Sequence, residues 1–506
     1  MKRAAAVVFL LVALLRLAGC ATAGTPVTGV NKKDPSWAGT QAETAITMAN
    51  FNGQSILTVA FNDEPAAQGK ITYTATTRTV AKGASMMGWA NSTDGGASWK
   101  YGGNVPATDD WPVLWGDPGI TSVAGDQRYA FLVNLAVPKS LMPADGTIEG
   151  PINDFIGGAC IARSQNGGKT FTMYQCVHES FGFYDGGNMA SSTRGDVYAA
   201  FINIDNNREY SIWHAKSPND QFVKLPHPFP GCTMATHPRI RVGYPALSLG
   251  GPDVSLFVAG QIIQCQKGVL AGNDVGGYGQ IIVNRYHNGS WGTPRVASNP
   301  SAVNPDVHLS DRVLRTGPQF SFDVGAASQD DDGNVRRDEI RFMYTRNDGK
   351  RLYVEGSYCG FDLSQPCKPA PEWGSTPGYY SYKGDQFAPL VRAFPGFLTI
   401  PAAWAGTFAT RDHAPAGNTI AIRRGSLAVL PNGSRLMIGF DFVDPHLVCG
   451  DTRGFWGDYD DMAFIGFAPN SVNARFLRAF TDSSAGCNKQ WEFTSDAVHV
   501  SAAAFP

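Results

Sequence analysis

Ser92-Thr93-Asp94-Gly95-Gly96-Ala97-Ser98-Trp99 decides the fold, and Ser164-Gln165-Asn166-Gly167-Gly168-Lys169-Thr170-Phe171 repeats it 72 residues later. Each octet runs hydroxyl, Asp or Asn, two glycines, hydroxyl, aromatic. An Asp or Asn side chain bonds its own backbone and shapes a turn. The glycines supply positive φ without steric cost. The closing aromatic packs the hairpin onto its sheet. Ser92, Asp94, Gly96 and Trp99, with Ser164, Asn166, Gly168 and Phe171, are therefore read as structural turn residues. Ser217 to Phe222 and His287 to Trp291 are degenerate copies.

Around the octets the chain repeats strand, tight turn, strand. Thr44 to Met48 passes through Asn52-Gly53 into Ser55 to Phe61. Gly119 to Val123 passes through Gly125-Asp126 into Arg128 to Val133, and Asn188 to Ser191 through Arg194-Gly195-Asp196 into Val197 to Ile202. Ser426 to Leu430 passes through Pro431-Asn432-Gly433 into Ser434 to Phe440. Asn-Gly suits two-residue hairpins. With 57 glycines, 32 prolines and few helix-period apolar runs, the chain reads as all-β. So many hairpins are too wide for one sheet and predict a radial repeat. Inner hairpins start near residues 44, 118, 187, 237, 318, 425 and 460, which favours seven blades. The irregular fifth and sixth leave six open.

The octets resemble the Asp-box of sialidase-like β-propellers. Gln41 to Ile46 resembles the opening strand of bacterial exported members, and Trp115-Gly116-Asp117-Pro118 and Trp456-Gly457-Asp458-Tyr459 resemble their blade starts. The resemblance implies one six- or seven-bladed β-propeller over residues 41–502, with a final blade mixing N- and C-terminal strands. The box itself is structural and carries little information on chemistry.

A sialidase-like site would lie at the central mouth. It needs three arginines for a substrate carboxylate, a Tyr activated by Glu, and an Asp as general acid. Arg239, Arg241, Arg346, Glu339 and Tyr344 are the candidates for that set, although ordinary strand-edge charge explains them as well. The family's first arginine is missing: residues 41–91 hold only Arg78, outside such a motif. Asp117 and Asp458 start blades at equivalent places and read as structural turns.

The chain opens with Lys2, Arg3, an apolar run from Ala4 to Leu15, and Leu17-Ala18-Gly19-Cys20. That order is a signal peptide, too short to span a bilayer permanently. The last four residues resemble the bacterial lipobox, which implies lipidation of Cys20. Residues 1–19 are then the lipoprotein signal peptide and 20–40 a flexible tether. Ala21 in place of Asp points to the outer membrane, if the source is Gram-negative. The expected location is the bacterial cell envelope, facing away from the cytoplasm.

About 490 residues remain after cleavage, ample for a large core. With 41 basic and 43 acidic side chains the net charge is −2, and no basic run suggests nucleic acid. Eight further cysteines fit an oxidising compartment. Nearest-neighbour pairing gives Cys160–Cys176 around the second octet, Cys359–Cys367 around a short loop and Cys449–Cys487 across the last blade. Cys232–Cys265 follows by elimination. Without Cys-x-x-Cys or His-Glu-x-x-His no metal site is expected, and the histidines read as surface or packing residues. Asp330-Asp331-Asp332-Gly333-Asn334 with Asp338 and Glu339 resembles part of a calcium loop, but a solvated hairpin tip fits better because the ligand spacing is not met. Gly-x-Ser-x-Gly and Gly-x-Gly-x-x-Gly are absent, which removes α/β-hydrolase and dinucleotide motifs. Trp373, Tyr379, Tyr380, Tyr382 and Trp404 form an aromatic stretch suited to sugar stacking or to packing.

The first reading is a surface-anchored, non-catalytic propeller that binds a glycan or an envelope protein. The alternative is a divergent sialidase or other glycan-cleaving hydrolase or lyase. A structural envelope lipoprotein is the third.

Overall fold

The computed structural model describes residues 25–26, 41–63, 67, 69–73, 78–179, 182–243, 254–272, 274–298, 314–315, 320–325, 328–329, 335–336, 339–347, 352–370, 385–393, 404–411, 419–429, 435–447, 454–455, 461–465, 475–482 and 497–504. Among these residues the elements are strands and short 3-10 turns, and no helix is long and apolar enough to cross a membrane.

The strands form antiparallel meanders in chain order. The first sheet holds Gln41–Phe51, Gln54–Asp63, Met87–Ser92 and Lys100–Asn104. The second runs Gly119–Ser122, Ala130–Val137, Gly158–Ser164 and Thr172–His178. The third runs Tyr184–Ser191, Val197–Asn203, Glu209–Ala215 and Val223–Lys224. The fourth begins Arg239–Gly243, Ser255–Cys265 and Ile281–His287. The fifth begins Phe320–Gly325, Glu339–Asn347 and Leu352–Gly360. The sixth runs Asp385–Ala393, Trp404–Arg411, Thr419–Val429 and Arg435–Leu447. The last runs Asp461–Ile465, Arg475–Asp482 and Ala497–Ala504, and ends on Thr25–Pro26.

The first strand of each sheet touches the first strand of the next, and Asp461–Ile465 returns to Gln41–Phe51. That closed ring is the arrangement of a β-propeller, in which radial repetition leaves only short, protected edges. Side chains stitch the inner strands together. The Gly186 amide donates to Asp117 Oδ2 at 2.9 Å and Ser191 Oγ to the Ser122 carbonyl at 2.6 Å, both 69 residues apart. The Val391 amide donates to Ser321 Oγ and the Ala393 amide to Asp323 Oδ2, both 70 apart. A constant offset means that neighbouring inner strands run the same way, so their N-terminal ends share one end of the ring.

The core lies between successive sheets. Phe131 of the second sheet meets Phe222, at the outer edge of the third, edge-on at 5.9 Å. Phe257 of the fourth packs with Phe320, Phe322 and Phe342 of the fifth. Burying each such ring contributes roughly 1.5–3 kcal/mol.

Both octets form the expected turns. Ser92 Oγ donates to Asp94 Oδ1 at 2.7 Å and accepts the Gly96 amide at 2.9 Å; Asp94 Oδ1 accepts the Ser98 amide at 3.0 Å. Ser164, Asn166, Gly168 and Thr170 repeat the pattern at 2.9 Å in each bond. The second turn also docks on its neighbour. A Cβ on Gly168, at φ +96°, would stand 2.3 Å from Thr58 Oγ1 of the first sheet. Trp99 packs against the Leu57–Val59 layer, and Phe171 meets Trp89 at 5.3 Å.

Cys160–Cys176, Cys232–Cys265 and Cys359–Cys367 are bonded. Cys449, Cys487, Cys20 and the Asp330–Asn334 run lie outside the described residues.

Two features differ from the sequence reading. The hairpin start near residue 425 belongs to the third strand of the sixth sheet, whose inner strand is Asp385–Ala393. Inner and outer hairpins use the same turn chemistry, so local sequence does not rank them. Thr25 and Pro26, within the segment read as a tether, pair with Val500 and His499. Pro26 suits this place because an edge strand does not need its missing N–H.

Candidate functional site at the mouth of the ring

The N-terminal ends of three successive inner strands bring charged side chains together. Asp117 precedes Gly119–Ser122, Asp185 lies second in Tyr184–Ser191, and His237 precedes Arg239–Gly243. These three side chains from three successive sheets meet. The Gly186 amide is shared: it lies 2.9 Å from Asp117 Oδ2 and 3.0 Å from Asp185 Oδ1. The two carboxylate oxygens therefore stand no more than about 6 Å apart. Asp185 Oδ2 pairs with His237 Nε2 at 3.0 Å, with both side chains partly exposed.

The backbone is bent to allow this. Asp117 adopts φ +60°, a left-handed conformation uncommon outside glycine and a frequent mark of functional sites. Gly186 has φ +64°, and a Cβ there would stand 2.5 Å from His237 Cγ; one on Gly187 would stand 2.4 Å from the Asp117 carbonyl oxygen. Register slips by a bulge between Asp185 and Asn188. Similar slips occur at Ala42/Ala45 and Phe387/Leu390 of two other inner strands. Bulges of this kind re-aim side chains beside sites.

The candidates from sequence divide into two groups. Arg239 and Arg241 sit on the inner strand of the fourth sheet, and Arg241 Nε lies 3.7 Å from Asp323 Oδ1 of the fifth. Arg346 and Tyr344 lie near the mouth end of Glu339–Asn347, where Tyr344 pairs with Phe320, the first residue of its inner strand. Glu339 begins that strand at the opposite end and binds Arg341 at 3.0 Å. Five residues of strand separate Glu339 from Tyr344, roughly 17 Å. The structure thus corrects the Tyr344–Glu339 pairing. The glutamate opposite Tyr344 is Glu355, which binds Arg346 at 2.7 Å. Tyr344 is also buried, 2% exposed, in the core between the fourth and fifth sheets, which removes it as a surface nucleophile. Arg78 lies off the ring of inner strands, on a small side sheet, 4.6 Å over the Trp115 ring.

A separate polar cluster around Glu179 lies on the third sheet. Glu179 accepts from Ser211 Oγ and pairs with Lys224 at 2.7 Å. Burial pushes its carboxyl up, but Lys224 and Ser211 outweigh burial and leave it below the usual range. Tyr184 beside it is fully buried, and burial raises its phenol pKa.

Sequence reasoning missed the Asp185–His237 pair and passed over Asp117 as a turn. Gly186-Gly187 after Asp185 was the available signal, since paired glycines in a strand mark close approach of another backbone. Among the described residues no cluster of His, Cys, Asp and Glu suits a metal ion.

No family model and no curated protein matches the chain. Among solved structures it is similar to a Penicillium chrysogenum α-L-arabinanase, at 10% identity and TM-score 0.40 over 96% of this chain and 98% of that one. It is similar to an ulvan lyase at 10% identity and TM-score 0.41, over 90% and 96% of the two chains. It is also similar to a Hadza microbial sialidase at 13% identity and TM-score 0.38, over 76% and 65%.

Proposed function

We propose that the protein is a glycan-cleaving hydrolase whose site is the mouth of a seven-bladed propeller, with Asp117 and Asp185 as its carboxylate pair. The observation that carries this reading is the single Gly186 amide shared by two carboxylates at the axis. Oxygens within about 6 Å suit a retaining mechanism, where the two groups stand about 5–5.5 Å apart. His237 favours the ionised form of Asp185, which suits the nucleophile that attacks the anomeric carbon. Asp117 then protonates the leaving oxygen and later activates water. Arg239 and Arg241 line the next inner strand, where Asp323 faces Arg241. Sialidase chemistry is disfavoured because Tyr344 is buried and Glu339 is remote. Seven blades correspond to the seven inner strands in contact around the axis. Anchorage to the cell envelope through a lipid on Cys20 completes the reading.

The test is release of aryl alcohol from a panel of aryl glycosides, including arabinofuranosides, galactosides, uronides and sialosides. Asp185→Asn should abolish turnover. Asp117→Asn should lose far less on a good leaving group than on a natural glycan, because the former needs no protonation. Turnover untouched by both variants would refute the assignment. Binding without cleavage is the second reading, favoured because Asp185 and Asp323 are already paired, with His237 and Arg241 respectively. Retained glycan affinity with no turnover on any substrate would establish it.

A further inference from the structure

We infer that Arg208 and Tyr210 are positioning residues for the mouth: they clasp residues 234–236 and so hold His237 against Asp185. This role rests on the mouth being the catalytic site, as proposed above. His237 lies in the connection between Cys232–Met234 and the inner strand Arg239–Gly243. Its 3.0 Å contact from Nε2 to Asp185 Oδ2 requires that connection to be placed within a fraction of an ångström.

Both residues reach across from the third sheet. Arg208 Nε donates to the Met234 carbonyl at 2.7 Å, and Arg208 Nη2 donates to the Ala235 carbonyl at 3.0 Å. Tyr210 Oη donates to the next carbonyl, that of Thr236, at 2.7 Å. One guanidinium fork and one phenol thus hold three successive carbonyls. Burial raises the Tyr210 phenol pKa and keeps the group a donor. From the fourth sheet Gln261 completes the grip. Its carbonyl accepts the Ala235 amide at 2.8 Å, and its amide donates to Thr236 Oγ1 at 3.2 Å.

The backbone on both sides accommodates the clasp. Arg208 lies in a turn closed by the Glu209 amide on the Asn206 carbonyl at 3.0 Å, with Asn207 at φ +52° and Arg208 at φ +54°. Positive φ at both central positions favours Asn followed by Gly. An arginine in the glycine place is strained, and such strain persists where surrounding contacts over-determine it. Here those contacts are the fork on Met234 and Ala235. Gly260 of the fourth sheet makes room for Tyr210, since a Cβ there would stand 1.8 Å from the phenol oxygen. Beyond His237 the Ile240 amide donates to Asn188 Oδ1 at 2.9 Å. The histidine is therefore bracketed by third-sheet contacts on both sides of it in the chain.

Carbethoxylation of the full chain by diethyl pyrocarbonate, followed residue by residue by peptide mapping, tests this without a substrate. The reagent acylates a neutral imidazole nitrogen, so pairing with Asp185 slows attack on His237 Nε2. Arg208→Gly suits the turn and removes only the fork. It should speed His237 modification roughly tenfold, the worth of its charged hydrogen bonds in a local opening. Tyr210→Phe removes one neutral bond and should speed it roughly fivefold. Asp185→Ala should speed it at least as far as either. His214, bonded to Asp196 at 2.8 Å in the same third sheet, is the internal control, and its rate should not move. His237 rates within roughly twofold of wild type in both clasp variants would overturn the inference. So would His214 rising in parallel, because the effect would then be a general loosening. On any aryl glycoside that the wild type cleaves, both clasp variants should lower kcat at unchanged KM, and unchanged kcat would overturn the role. A wild type without turnover refutes the hydrolase reading alone, and the modification rates still decide the clasp.

Discussion

Gly186→Ala should damage the mouth more than any ordinary glycine replacement. Gly186 sits at φ +64°, and the added Cβ would stand 2.5 Å from His237 Cγ and 2.7 Å from its Cβ and Cδ2. Left-handed backbone costs an alanine roughly 1–2 kcal/mol. The His237 ring must then move, and its 3.0 Å bond to Asp185 breaks. Losing a charge-assisted bond at a part-buried site adds about 1–3 kcal/mol. The expected total is about 2–5 kcal/mol. Gly53 and Gly289 provide controls, at φ +75° and +81° with nothing within 4 Å of a built Cβ. Their alanine variants should show the backbone cost alone. Urea unfolding midpoints at fixed m-value compare the three. If Gly186→Ala unfolds at the same midpoint as Gly53→Ala, the crowding of His237 is not real and the carboxylate pair loses its support.

Three further outcomes are expected. Hydrogen bonds from Ser98, then Ser92, lower the Asp94 carboxyl from 3.8 to about 2, so its stabilising contribution is present above 3.8 and fades as pH falls toward about 2; the stability difference between wild type and Asp94→Asn should be constant above that window and shrink only as pH falls through it. Replacing Cys232 and Cys265 together opens a crosslink of sequence separation 33 and should cost about 3–4 kcal/mol, read by denaturant unfolding; no change would mean the bond does not form in solution. Cys20→Ser should move the protein from the membrane to the soluble fraction, and unchanged fractionation would defeat lipidation.

The turn octets were legible because their chemistry is local: Ser92, Asp94 and Ser98 bond one another within seven residues. Two disulfides were legible for a related reason, since Cys160–Cys176 and Cys359–Cys367 each join chain neighbours in one sheet or loop, whereas Cys232–Cys265 followed by elimination. The mouth was not legible in this way. Asp117, Asp185 and His237 come together only because the ring aligns three sheets with offsets of 69 and 52 residues. Tyr344 and Glu339 looked adjacent in sequence, yet an extended strand carries them to opposite ends of the sheet and onto opposite faces.

The pairing of Thr25 and Pro26 with Val500 and His499 has a mechanical consequence. The chain leaves the ring at the outer edge of the last sheet, five residues after Cys20. Five residues of fully extended chain reach at most about 18 Å. A lipid on Cys20 would hold the molecule by its rim, like a wheel standing on a surface, with its axle parallel to the bilayer. Both openings would then face sideways along the membrane, so a long polymer lying on the cell surface could meet either without the protein turning over. A pull on the anchor would load that edge strand first and peel the last sheet from its outside.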